Sequence, residues 1–132
     1  MIKVKNLNKR YKLNERFLKK VSADIIKMLK KPDAELEIVF LSDVAIRPFN
    51  KKYKHSDRAT DVLSFDLDGL GEILISSDMA LKNSSIFGTS FEEELVLYVI
   101  HGILHLCGYG DKTPAKKKEM RRREDFCLEL LK

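Results

Sequence analysis

From Ser90 to Gly108 the chain carries a helix pattern bounded at both ends, and everything else must pack around it. Thr89 or Ser90 serves as N-cap, and Glu92, Glu93 and Glu94 place negative charge in the first turn, where the helix dipole favours it. Leu95, Val99 and Ile103 recur at four-residue steps as far as Cys107, and Gly108 terminates the run. His101 and His105 lie four residues apart in this helix, two of only three histidines in the chain. Side chains at that spacing share one face at about 5–6 Å, so both imidazoles can reach a single ion at about 2.0–2.1 Å.

The residues beyond His105 read LCGYGD. A glycine at position 108 lets the backbone turn sharply and bring the following residues back across the histidine face. Asp111 then stands six residues after His105, at the third-ligand position of an H-x3-H-x5-ligand pattern, and a carboxylate is an acceptable zinc ligand. The spacing therefore predicts one divalent metal ion, zinc by expectation, on His101, His105 and Asp111. The residue after the first histidine is Gly102, where zinc peptidases of the H-E-x-x-H type carry their general base. That substitution points away from peptide hydrolysis.

The other elements follow from periodicity and turn signals. Residues 2–4 alternate apolar with Lys as a short first strand, and Asn14 caps an amphipathic helix on Leu18, Val21, Ile25 and Leu29 that runs to Lys31 and stops at Pro32. Residues 36–41 (LEIVFL) read as a buried strand, followed by a helix capped by Ser42 or Asp43 and running through Ile46, Phe49, Asn50 and Tyr53. Residues 60–65 (TDVLSF) and 71–76 (GEILIS) form a hairpin across the link DLDGL. Residues 77–87 form a helix broken by Gly88, and Thr113-Pro114 opens a last helix that continues to the C-terminus. The expected fold is a single α+β domain over residues 1–132: a small mixed sheet of about four strands packed with about five helices, the histidine helix central.

Charge is segregated along the 132 residues. Residues 1–32 hold eleven Lys/Arg against two Asp/Glu, residues 33–100 six against thirteen, and residues 101–132 eight against five. A basic stretch alone reads as a solvated helix face, but two basic ends around an acidic middle suit a polyanion, RNA above all. Within the last helix, Lys116 to Lys118 and Arg121 to Arg123 cannot all share one face, so part of the cluster is solvated and part, Lys117 and Arg121, is available for phosphates. His55 and Arg58, ahead of TDVLSF, read either as phosphate contacts or as an exposed loop. Tyr53 and Tyr109 read first as packing residues and second as base-stacking platforms. With 44% hydrophobic and 34% charged residues and no long apolar run, no membrane segment or signal peptide is expected and the protein reads as cytoplasmic. Cys107 and Cys127 read as free thiols in helices rather than as a disulfide.

At this point two segments resemble a known family. HGILHLCGYGD is similar to the H-G-x-L-H-L-x-G-Y-D-H signature of the YbeY family, bacterial endoribonucleases of ribosomal RNA maturation. The stretch FNKKYKHSDRATDVLSFDLDGLGEILIS resembles that family's upstream pattern L-N-x-x-Y-R, P-T-D-V-L-S-F and G-D-I. The resemblance implies a metal-dependent, single-strand-specific endoribonuclease acting on rRNA or the ribosome. It also marks three departures: the family's third histidine falls on Asp111, its catalytic or RNA-binding arginine on Lys54, and its G-D-I reads Gly71-Glu72-Ile73. Lys54 thus takes the catalytic position with the charge of an arginine but without its two-pronged grip on phosphate. The competing readings are a metallohydrolase of another substrate class and a non-catalytic ribosome assembly factor with a structural metal. Structural zinc is usually closed by four protein ligands, and only three are visible here.

Overall fold

The computed structural model describes residues 1–31 and 33–131. Four strands, β1 (Ile2–Asn6), β2 (Glu35–Leu41), β3 (Val62–Leu67) and β4 (Leu70–Ser76), form one mixed sheet in the order β1-β2-β4-β3. β1, β2 and β4 run parallel, with Ile2 opposite Leu36 and Ile38 opposite Ile73, and β3 returns antiparallel on β4 with Val62 opposite Ile75. The helices are α1 (Glu15–Met28), α2 (Asp43–Lys54), α3 (Ser77–Phe87), α4 (Phe91–Leu106) and α5 (Pro114–Leu130). The expected α+β class, with four strands and five helices, is the one observed.

The central strands are rich in Ile, Val, Leu and Phe because both of their faces are covered. By the two-residue alternation of a strand, Leu36, Ile38, Phe40, Ile73 and Ile75 point into a core shared with α1, α4 and α5. Val39, Leu41, Leu63 and Leu74 point the other way and pack with Ile46 of α2. α4 lies at the centre of the first layer, against α1, α3, α5 and strands β3 and β4. Its residues Val99, Ile100 and Leu104 are fully buried. No helix among the described residues is long and apolar enough to cross a membrane.

Several boundaries differ from those expected. β1 continues to Asn6, because pairing with β2 carries the ladder through polar residues. α1 ends at Met28 rather than Lys31. Lys30 adopts a left-handed φ of 58°, and the Lys31 amide reaches back to the Ile26 carbonyl, a closure more often built on glycine. Pro32, the expected stop, lies outside the described residues. The hairpin is tighter than a loop of several residues: β3 and β4 extend until Leu67 pairs with Leu70, leaving Asp68-Gly69 alone in the turn at φ 50° and 89°. Two positive φ values suit the right-handed twist of the strands, and Asp-Gly is a pair that adopts them readily. Ser42 and Ser90 are the N-caps of α2 and α4, the latter in a capping box with Glu93.

Candidate metal centre and cleft

The capping box at Ser90 and the buried aliphatic stripe fix the rotation of α4 about its axis, leaving His101 and His105 half-buried at its rim. At the C-terminus Gly108, at φ 100°, lets the Tyr109 amide bond the Leu104 carbonyl at 3.1 Å, which reverses the chain as the sequence predicts. Tyr109 packs against the core, with the Arg123 guanidinium 5.4 Å from its ring centre. Three residues past the glycine, Asp111 comes back over the histidines.

The donor atoms converge. His105 Nε2 lies 3.0 Å from His101 Nε2, and Asp111 Oδ2 lies 3.4 Å from the former and 3.6 Å from the latter. Donors around a tetrahedral zinc at about 2.0–2.1 Å stand roughly 3.3 Å from one another, so this triangle is the size of one face of such a tetrahedron. Two imidazoles and a carboxylate are a donor set suited to zinc and other borderline divalent ions. The three residues fit an ion, and they are the one His/Cys/Asp/Glu cluster of metal-binding geometry among the described residues.

His101 Nδ1, on the far side of the ring, lies 2.6 Å from Glu124 Oε2 of α5. Burial pushes the His101 pKa down, but the hydrogen bond and charge of Glu124, with Asp61 and Asp111 adding to them, leave it above its ordinary value. Burial and then the charge of His101 hold His105 below its ordinary value, against the pull of Asp111.

The triangle opens onto a cleft of about 520 Å3 between α4, the end of α2 and β3. Its walls include Asn50, Lys54, Asp61, Ser64 and Lys112. Lys54 is the last residue of α2, and its charge is felt at His105. The Ser64 hydroxyl donates to the Gly102 carbonyl at 3.0 Å, pinning β3 to α4 beside the histidines.

Of the residues singled out by sequence, the structure brings His101, His105, Asp111 and Lys54 to one cleft. Arg58 is not among its walls. α2 ends at His55 in a left-handed conformation, and Asn50 Nδ2 holds the Arg58 carbonyl at 2.9 Å, so Arg58 lines a separate groove with Asp43, Arg47 and Asp57. The second cation in the cleft is Lys112, which sequence reasoning passed over. Lys117 and Arg121 are exposed on α5 and do not line the cleft. Tyr53 packs against Phe65 with ring centres 4.5 Å apart and the planes tilted by 51°. Glu124 was also missed, although a signal for it exists. It falls four residues after Met120 and three before Cys127, which are both buried, so it is a carboxylate on the apolar stripe of its helix.

A family model described as Endoribonuclease YbeY matches residues 3–132. Relatives named Endoribonuclease YbeY include one from Geobacter metallireducens, 33% identical with 96% of this chain and 94% of the relative covered. Another, from Desulforamulus reducens, is 36% identical with 97% and 95% covered. The solution structure of TM1509 from Thermotoga maritima superposes with a TM-score of 0.70 at 31% identity, covering 98% of this chain and 87% of that one.

Proposed function

Because this chain belongs to the YbeY endoribonuclease family, we propose that it is a metal-dependent endoribonuclease that cuts single-stranded segments of ribosomal RNA during maturation in the cytoplasm. The observation that carries this reading is the open triangle of His101, His105 and Asp111 facing a cleft whose walls include Lys54 and Lys112. A structural zinc site is closed by four protein donors, whereas three donors at the wall of a cleft leave a position for substrate or water.

His101, His105 and Asp111 would hold the ion, and zinc is the ion proposed. When bound, it supplies Lewis-acid polarisation of a phosphate oxygen and a water acidified to near neutral pH. The protein's own part is positional and electrostatic. Lys54 sets a cation on the opposite wall of the cleft, where it stabilises negative charge developing on the scissile phosphate. Lys112 holds a neighbouring phosphate of the same strand. The exposed cations Lys117 and Arg121 on α5, and Arg58 beside α2, contribute sequence-independent attraction to the backbone.

The test is cleavage of a ribosomal RNA fragment containing single-stranded and duplex regions by untreated protein, by metal-stripped protein and by His105→Ala. Cutting in the unpaired regions is expected for untreated protein. Stripping should abolish it and zinc restore it, while the variant stays inactive with or without zinc. Equal cutting by all three preparations overturns the metal-dependent mechanism, and no cutting by untreated, zinc-loaded protein overturns the nuclease reading.

A further inference from the structure

His101 and Glu124 are 23 residues apart in sequence, and the shortest contact at the centre joins them. Glu124 is about two-thirds of the way along α5, and its side chain retains only 15% of its accessible surface. Its position is not a free choice of rotamer. Met120, one turn before it, and Cys127, one turn after, are 2% and 1% exposed and seated in the same core as α4. Those two anchors fix the rotation of α5, and the carboxylate between them meets the imidazole edge that faces away from Asp111 and His105.

An imidazole binds a metal through one nitrogen only if that nitrogen is unprotonated and aimed at the ion. Left alone, a neutral histidine distributes its proton over both nitrogens and its ring over several χ2 angles. A carboxylate accepts hydrogen bonds and donates none. Glu124 therefore holds a proton on Nδ1 and leaves the Nε2 lone pair on the Asp111 side. Metal-ligating histidines almost always carry such an outer partner.

We infer that Glu124 is the positioning residue of the metal centre, so that the C-terminal helix, through this one carboxylate, sets the affinity for the ion. The inference rests on the metal-site reading above. His101 and His105 also differ in kind: among the described residues no carboxylate meets the second nitrogen of His105, so His101 is the preorganised ligand of the pair. α5 thus serves the centre from its buried face while Lys117, Arg121 and Arg122 stand exposed to solvent.

The experiment measures Zn2+ and Co2+ affinity of metal-free protein by competition with a chromophoric chelator, in wild type, Glu124→Gln and Glu124→Ala. Glu124→Ala should bind about tenfold to a hundredfold more weakly. Glu124→Gln, whose amide oxygen still accepts from Nδ1–H, should fall between it and wild type. Long-range 1H–15N spectra of the metal-free proteins should show the His101 proton on Nδ1 in wild type and Glu124→Gln and spread over both nitrogens in Glu124→Ala. Circular dichroism identifies a variant that has lost its fold, and Glu124→Gln, the gentler change, then carries the test. A wild type that binds and a Glu124→Ala that binds equally well, with an unchanged His101 tautomer, overturns this inference alone. A wild type that binds neither ion overturns it together with the metal-site reading.

Discussion

Ile73 of β4 leaves no room for a side chain at position 102: a Cβ built on Gly102 would stand 2.6 Å from Ile73 Cγ2. α4 therefore rests directly on the sheet one residue beyond His101, and the Ser64 hydroxyl bonds the carbonyl of that same glycine. The glycine that seemed informative in the sequence for lacking a catalytic glutamate is here for a packing reason.

Gly102→Ala should accordingly destabilise the protein by about 1–3 kcal/mol, the usual cost of overpacking a full core. It should also weaken metal binding by shifting the helix under His101. Pairing it with Ile73→Ala, which removes the clashing methyl, should make the double variant more stable than the two single effects summed. Chemical denaturation of the four proteins reads this directly; a Gly102→Ala as stable as wild type would mean that α4 does not lie so close.

Asp111→Ala should lose more zinc affinity than the roughly tenfold to hundredfold expected from losing an outer partner, since it removes a donor outright. Asp111→His restores a third donor of the type implied by the family signature and should bind zinc at least as well as wild type. Chelator competition checks both, and unchanged affinity in Asp111→Ala would exclude the residue as a ligand.

Lys54→Ala should lower the cleavage rate of single-stranded RNA by roughly a hundredfold, the scale of losing one preorganised charge donor, with zinc affinity unchanged. Lys54→Arg should retain activity, because guanidinium keeps the charge and adds a second hydrogen bond to phosphate. Single-turnover rates at saturating enzyme separate this chemical effect from weaker binding. A Lys54→Ala rate equal to wild type would remove Lys54 from the catalytic mechanism.

Asp78 gives a pH dependence of stability away from the candidate metal site. Burial by itself would push its pKa up, but the Asp43 amide, the side chains of Asn8 and Tyr11 and the charge of Arg10 hold it below its ordinary value of 3.8. A carboxyl with a folded pKa below its unfolded one adds stability that is complete above the unfolded value and drains away as pH falls through the folded one. Wild type should therefore lose stability below about pH 4 more steeply than Asp78→Asn. Denaturation midpoints between pH 3 and 7 test this, and parallel curves for the two proteins would refute it.

Much of the candidate site was legible because its residues are local. His101 and His105 need only helical spacing to share a face, and Gly108 needs only its left-handed φ to return Asp111 to them. The element order was legible for the same reason: caps, breakers and hydrophobic period act within a few residues. Where a boundary was misjudged, non-local pairing decided it, as in β1, whose polar end is held by β2, and in the Asp68-Gly69 turn, whose length is set by the β3–β4 register.

The sequence by itself determined that His101, His105 and Asp111 could converge, that the class is α+β and that the peptidase glutamate is absent, since each is written in local spacing and element order. Only the tertiary structure decided that Glu124 meets His101, that Lys112 rather than Arg58 joins Lys54 in the cleft, and that Ser64 ties β3 to Gly102. Those contacts join segments 23 and 38 residues apart or turn on how a loop is tethered. Their partners are chosen by helix rotation and strand register within the packed core, which no local pattern encodes.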